Sequence, residues 1–329
     1  MNYYKIDEKN RVVCQLCRHY CKLKKEQVGI CGVNKNENGE FKNLVYNHPS
    51  TINVDPVEKK PLYHFLPSTR TLSFGTVGCN FKCPFCQNWQ ISQEHKIDTA
   101  TTVTKEQMVA LAIKYECKSI SYTYNEPTIF YPYAKDVGLL AKEYNLKNIF
   151  VSNGFESKEV IEDMKDWVDA INVDLKSFNV DYYKKVLKGG LEELKDSLKL
   201  MVKNGIWVEV TTLVIDGVNS SPEELREIAN FISNELGTHI PWHLSAFHPD
   251  YNMKKHSPTK LKSLTDAYEI GVKAGLKYIY LGNVPVPSET LCPKCEEILI
   301  LRQSFEVTKN ILKDGKCPKC NTEIEGIWE

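Results

Sequence analysis

Eleven of the twelve cysteines fall into three groups, and grouped thiols are the residues best suited to hold metal. Cys14, Cys17, Cys21 and Cys31 form the first group, and Cys79, Cys83 and Cys86 the second. Two Cys-Pro-Lys-Cys pairs, Cys292/Cys295 and Cys317/Cys320, form the third. Cys117 stands alone and is expected to be an ordinary thiol. A Cys-x-x-Cys turn sets two thiolates on one side of a metal, and two such turns complete a tetrahedron. The last group therefore predicts a structural zinc, with rubredoxin-like iron as the alternative that uses the same sulfurs. Three thiolates, as in the middle group, are too few to close a site. They suit a [4Fe-4S] cluster that keeps one iron open, or a zinc completed by a distant residue such as His95. The first group has ligands enough for zinc or for a second iron–sulfur cluster.

The rest of the composition narrows the setting. Lys plus Arg (42) balance Asp plus Glu (42), and 42% of residues are hydrophobic, enough for a full core. This balance argues against nucleic acid as a partner. No apolar run is long enough for a membrane span, and residues 1–7 lack the apolar stretch of a secretory signal. A cytoplasmic, reducing setting is expected, where cysteines serve metals rather than disulfides.

Metal ligands need a scaffold, and the middle of the chain supplies one. Strand-like apolar runs at 71–77, 119–124, 147–152, 169–174, 206–214, 240–245 and 277–281 alternate with stretches of helical spacing. Such alternation predicts an α/β fold with parallel strands and right-handed crossovers. Six units are too few to close a barrel, so an open partial (β/α)6 barrel over 71–284 follows. A Cys-rich N-terminal domain (1–70) and a four-Cys zinc-ribbon or rubredoxin-like domain (285–329) flank it. Cys79, Cys83 and Cys86 follow the first barrel strand, at the end where barrel enzymes place their chemistry.

Cys79-x3-Cys83-x2-Cys86, with Phe85 before the last cysteine, resembles the cluster motif of radical S-adenosylmethionine (radical SAM) enzymes. Val54-Asp55-Pro56-Val57-Glu58-Lys59-Lys60-Pro61-Leu62-Tyr63-His64-Phe65, Gly75-Thr76-Val77-Gly78-Cys79, Cys86-Gln87-Asn88-Trp89 and Tyr122-Thr123-Tyr124-Asn125-Glu126-Pro127-Thr128 make it similar to the AmmeMemoRadiSam system radical SAM enzymes. Those are related to the pyruvate formate-lyase activating enzymes. The resemblance implies a [4Fe-4S] cluster on the three cysteines and SAM on its open iron. It implies reductive cleavage of SAM to methionine and a 5'-deoxyadenosyl radical, which abstracts hydrogen from a substrate. A low-potential donor such as ferredoxin or flavodoxin is implied as electron source, and a protein is one candidate substrate.

Carried over residue by residue, the resemblance puts Phe85, Glu126, Asn153, Asp174 and Lys176 around SAM. Glu126 would accept from its amino group. Tyr124 and Asn125 stand where the family has two glycines before Glu-Pro. His243 would lie near the adenosine, with His248 second. Ordinary structural roles compete with each of these: Glu126 as a helix cap, Asp174 and Lys176 as an ion pair on one strand face. Glycyl radical enzyme activation is the alternative within the enzyme reading. A non-enzymatic metal-binding interaction protein is the alternative outside it.

Overall fold

The computed structural model describes residues 2–93 and 96–329, so His95 lies outside the described residues. The centre of the fold is one eight-stranded sheet whose spatial order follows the chain. Its strands are β1 (Thr51–Pro56), β2 (Arg70–Gly75), β3 (Ser119–Tyr122), β4 (Lys147–Ser152), β5 (Ala170–Asp174), β6 (Trp207–Val214), β7 (Trp242–Ala246) and β8 (Ile279–Gly282). β1 runs antiparallel to β2, and every later neighbour is parallel. The edge strands β1 and β8 do not pair, so the mixed sheet stays partial and unclosed.

Six helices make the six crossovers between β2 and β8: α1 (Lys105–Lys114), α2 (Tyr131–Glu143), α3 (Lys158–Met164), α4 (Leu191–Lys203), α5 (Pro222–Phe231) and α6 (Leu261–Lys273). Their starts are written in the sequence. Thr104 and Gln107 form a reciprocal capping box at α1, Ser157 caps α3, and Ser221 followed by Pro222 opens α5. Strands covered by helices on their outer face become continuous apolar runs: Ser119–Tyr122 is buried at every position.

One expectation moves. The sheet begins at Thr51, inside the segment assigned to the N-terminal domain, because β1 adds to the free edge of β2. Before it lie a three-stranded sheet (Tyr4–Ile6, Val12–Cys14, Lys22–Leu23) and a hairpin (Asn34–Glu37, Glu40–Asn43). The hairpin turns on Asn38 and Gly39, both at positive φ (54° and 97°), as its two-residue loop requires. After the main sheet, Ser288–Leu291, Ile298–Gln303 and Glu306–Asn310 form a three-stranded antiparallel sheet. This unit packs against Tyr63, Tyr278 and Tyr280, beside the N-terminal end of β8.

Candidate active site at the strand ends

The loop leaving β2 carries Cys79, Cys83 and Cys86. The chain turns into it at Gly78 (φ +89°), where a Cβ would stand 2.5 Å from the Cys31 carbonyl oxygen. No other residue permits that approach. Asn125 holds the loop's shape: its Nδ2 donates to the Gly78 carbonyl (2.8 Å), and its Oδ1 accepts from the Thr76 backbone N–H (3.1 Å). Tyr124 takes a left-handed backbone (φ +70°) where the family has glycine. Its hydroxyl donates to Asp55 (2.7 Å), whose carboxylate pairs with Lys60 (2.7 Å). The motif between Val54 and Lys60 thus anchors the residue that bears this strain.

Side chains from the next strand ends converge on the loop. Asn153, after β4, donates to Asn80 Oδ1 (2.7 Å). Its backbone N–H donates to Glu126 Oε2 (2.8 Å), and Ser152 donates to Glu126 Oε1 (2.9 Å). Asp174, ending β5, pairs with Lys176 (2.7 Å), and Lys176 Nζ stands 5.9 Å from the Phe85 ring centre. Burial alone would push the Lys176 ammonium down, yet Asp174 and the Cys83 sulfur hold it up, so it stays charged. From the far side, the Asn252 N–H donates to the Pro84 carbonyl (3.0 Å), and Tyr251 stacks on Trp89.

Glu126 fills the capping role expected of it. It caps the turn at Pro127 by accepting from the Thr128 N–H (3.0 Å), and it is buried. Oε1 accepts from Thr128 and Ser152, whereas Oε2 accepts, among the described residues, from the Asn153 N–H alone. Burial pushes the Cys79 thiol well up, with Glu126 adding to it, and pushes Cys83 up to about 12 against the pull of Lys176. A buried thiol raised in this way stays protonated at neutral pH unless a nearby cation favours its thiolate.

His243 is elsewhere. It is the second residue of β7, nearer that strand's start than the ligand-bearing ends, and its Nε2 meets Glu209 Oε2 at 2.6 Å. Glu209 also accepts from the Tyr63 and His64 N–H groups and from Trp207 Nε1. His248 is exposed. His243 thus engages Glu209 within the sheet, whereas His248 follows the C-terminal end of β7, four residues before Asn252.

Glu156 is a site neighbour that sequence reasoning missed. It is wholly buried, shares Ser152 with Glu126, and pairs in backbone register with Cys17. Nothing in Asn153-Gly154-Phe155-Glu156 marks it as inaccessible. Burial and the nearby Glu126 push its carboxyl from 4.5 up to about 8. A folded-state value above the unfolded one stabilises the fold fully below pH 4.5, and that contribution is lost as pH rises toward 8. Glu156→Gln is expected to flatten this decline. Thermal unfolding midpoints should fall between pH 5 and 8 in the native chain and fall less in the variant, where buried Glu126 remains.

The C-terminal cysteines form a separate, symmetric site. In each pair the first cysteine's N–H donates across the turn, Cys292 to Glu297 and Cys317 to Thr322, both at 2.9 Å. Glu296 and Asn321 share φ 58°. The four sulfurs lie within 4.8 Å of one another, with Cys292–Cys320 at 3.5 Å and Cys295–Cys317 at 3.7 Å. A metal bound at about 2.3 Å by four thiolates needs sulfurs about 3.8 Å apart. Cys117 is buried and free.

The radical SAM superfamily model matches residues 74–232, from the end of β2 through α5, a span that holds Cys79, Cys83, Cys86, Glu126, Asn153, Asp174 and Lys176. An uncharacterized protein of Methanocaldococcus jannaschii is 39% identical over 99% of this chain and 98% of its own length. The pyruvate formate-lyase-activating enzyme of Clostridium pasteurianum is 22% identical over 51% of this chain and 71% of its own. Among solved structures, a radical SAM methyltransferase from Sphaerobacter thermophilus superposes with a TM-score of 0.51 at 17% identity, covering 65% of this chain and 66% of that one. That likeness is one of fold. Together with the unclosed sheet and its three-Cys loop, these matches establish that the chain belongs to the radical SAM superfamily and is broadly related to the pyruvate formate-lyase type of activating enzyme.

Proposed function

We propose that the chain is a radical SAM enzyme of the AmmeMemoRadiSam type. Cys79, Cys83 and Cys86 would hold a [4Fe-4S] cluster, and Phe85, Glu126, Asn153, Asp174 and Lys176 would surround SAM. When bound and reduced, that cofactor pair supplies a 5'-deoxyadenosyl radical for hydrogen abstraction. The chain's own residues provide the setting. Glu126 Oε2 offers an acceptor to the SAM ammonium, and Lys176 keeps a fixed positive charge beside Cys83. Asn125 locks the loop that carries all three thiolates.

The observation that best supports this reading is the convergence itself: residues separated by up to 97 positions, from Cys79 to Lys176, meet at one end of the sheet. A metal-binding interaction module has no use for an acceptor and a cation aimed at an open three-thiolate loop. We further propose that the C-terminal four hold structural zinc, since that unit packs beside the N-terminal end of β8, away from the three-Cys loop. The electron donor would be a ferredoxin or flavodoxin, the location cytoplasmic, and a protein a candidate substrate. Similarity to activating enzymes favours glycyl radical enzyme activation as the second reading.

The test is SAM binding by anaerobic dialysis. The iron-replete protein is expected to bind about one SAM per chain. Glu126→Gln should weaken binding roughly 10–100-fold, the value of a charge-assisted hydrogen bond. Iron-replete protein that binds no SAM, or a variant that binds it equally well, contradicts the reading.

A further inference from the structure

The four N-terminal cysteines surround a cavity that neither the catalytic loop nor the C-terminal turns account for. Cys14, Cys17, Cys21 and Cys31 all line it, together with His19 and Asn80. The void between them has room for about one water-sized body. A zinc ion with four thiolates at about 2.3 Å draws its sulfurs to about 3.8 Å from one another and leaves no such room. The C-terminal four satisfy that geometry, with sulfurs within 4.8 Å. Among the described residues no other group of three or more metal-ligating side chains does, so the N-terminal sulfurs stand wider apart. A four-iron cube spaces its thiolates more widely because an iron and sulfide core lies between them. Cys79, Cys83 and Cys86 also stand wider than the single-ion spacing. One chain thus presents both kinds of sulfur set, and the N-terminal four belong with the wider kind.

We propose that Cys14, Cys17, Cys21 and Cys31 hold a second four-iron, four-sulfide cluster that relays electrons to the catalytic site. Four thiolates leave no open iron, so this site stores charge rather than binding substrate. Its surroundings place it between solvent and the catalytic loop. On the inner side, His19 Nε2 lies 3.0 Å from the Asn80 carbonyl, and Asn80 is the residue after Cys79. Asn80 is wholly buried, and its Nδ2 has no hydrogen-bond partner among the described residues, leaving a donor free for a cluster sulfide. Close contact continues at Gly78, where only the absence of a Cβ lets the Cys31 carbonyl approach. On the outer side, Ile30 lines the cavity and is 48% exposed, so a single side chain separates it from water. One electron would come from a low-potential protein donor of ferredoxin or flavodoxin type and one would leave for the catalytic site. The donor is oxidised by one electron, the catalytic site is reduced by one, and no bond or proton is exchanged. The relay role rests on the function proposed above, whereas occupancy of the site does not.

The test removes the catalytic thiols and asks what metal remains. Cys79→Ala, Cys83→Ala and Cys86→Ala are combined in one chain, which is reconstituted anaerobically with iron, sulfide and zinc together. About four irons and four sulfides per chain are expected to remain, with one zinc in the C-terminal set and a reduced-cluster EPR signal. A second variant, Cys14→Ser, Cys17→Ser, Cys21→Ser and Cys31→Ser, should lose about four irons relative to the native chain and keep its zinc. About two zincs and no iron in the first variant, or native iron content in the second, overturns the proposal. Failure of the catalytic reading has a different signature: iron persists in the first variant, but the native chain binds no more than that variant. If the first variant does not fold, the iron difference between native chain and second variant decides alone.

Discussion

Cys83→Ala is expected to fold and to lose SAM cleavage altogether, with 5'-deoxyadenosine falling by a factor on the order of 10³ or more. Cys83 is buried between the other two thiols of its loop and the Lys176–Asp174 pair. With two thiolates left, the loop would no longer offer the three ligands that the proposed cluster and its bound SAM require. The fold should survive because the loop's shape depends on Asn125, Gly78 and Asn80 rather than on the sulfur. Quantifying deoxyadenosine by chromatography, alongside a thermal melt of the variant, separates lost chemistry from lost structure. Retention of even a tenth of native activity would mean that the three thiols are not the reacting centre's ligands.

Glu209→Ala carries the largest expected effect on stability. Its carboxylate is fully buried and accepts four donors: the Tyr63 and His64 N–H groups, Trp207 Nε1 and His243 Nε2. These tie β6 and β7 to the segment between β1 and β2. The same segment meets the C-terminal unit, where buried Arg302 donates to the Tyr63 carbonyl (2.6 Å) and covers the Tyr63 ring. Alanine would leave all four donors unpaired in a dry interior and remove the partner of His243. Each buried donor left unpaired costs about 1–3 kcal/mol. Chemical denaturation should show that loss, with SAM affinity at permissive temperature nearly native. A loss under about 1 kcal/mol would mean that water or another acceptor relieves the donors.

That network explains what the sequence could and could not convey about His243. Position in a strand was legible: Pro241-Trp242-His243-Leu244 is an apolar parallel strand, and β7 lies there. Depth was not, because alternation of side chains tells which face a residue takes, and only the packed barrel tells which layer it joins. The seven parallel strands and six helices were legible for the reason that burial on both faces writes long apolar runs and short polar caps. β1 was not. Thr51-Ile52-Asn53-Val54-Asp55-Pro56 is a half-exposed edge strand that ends in proline, and its pattern resembles a linker.

Site residues divide the same way. Glu126, Asn153, Asp174 and Lys176 were named through the family resemblance, and the fold sets each at or just beyond the C-terminal end of a parallel strand. Tyr124 and Asn125 looked like losses of two glycines. In the fold Asn125 clamps the cluster loop, and Tyr124 adopts a glycine-like backbone held by Asp55. Glu156 and Asn80 were invisible, since their burial comes from the N-terminal cysteine segment folding over them.

Reductive cleavage of SAM at the three-thiolate loop is tested by 5'-deoxyadenosine formation from anaerobically purified, iron-replete native chain given SAM, with and without dithionite. Product is expected only when both SAM and reductant are present, accumulating in step with methionine. Iron-replete, SAM-saturated protein that yields no deoxyadenosine under reduction would contradict it.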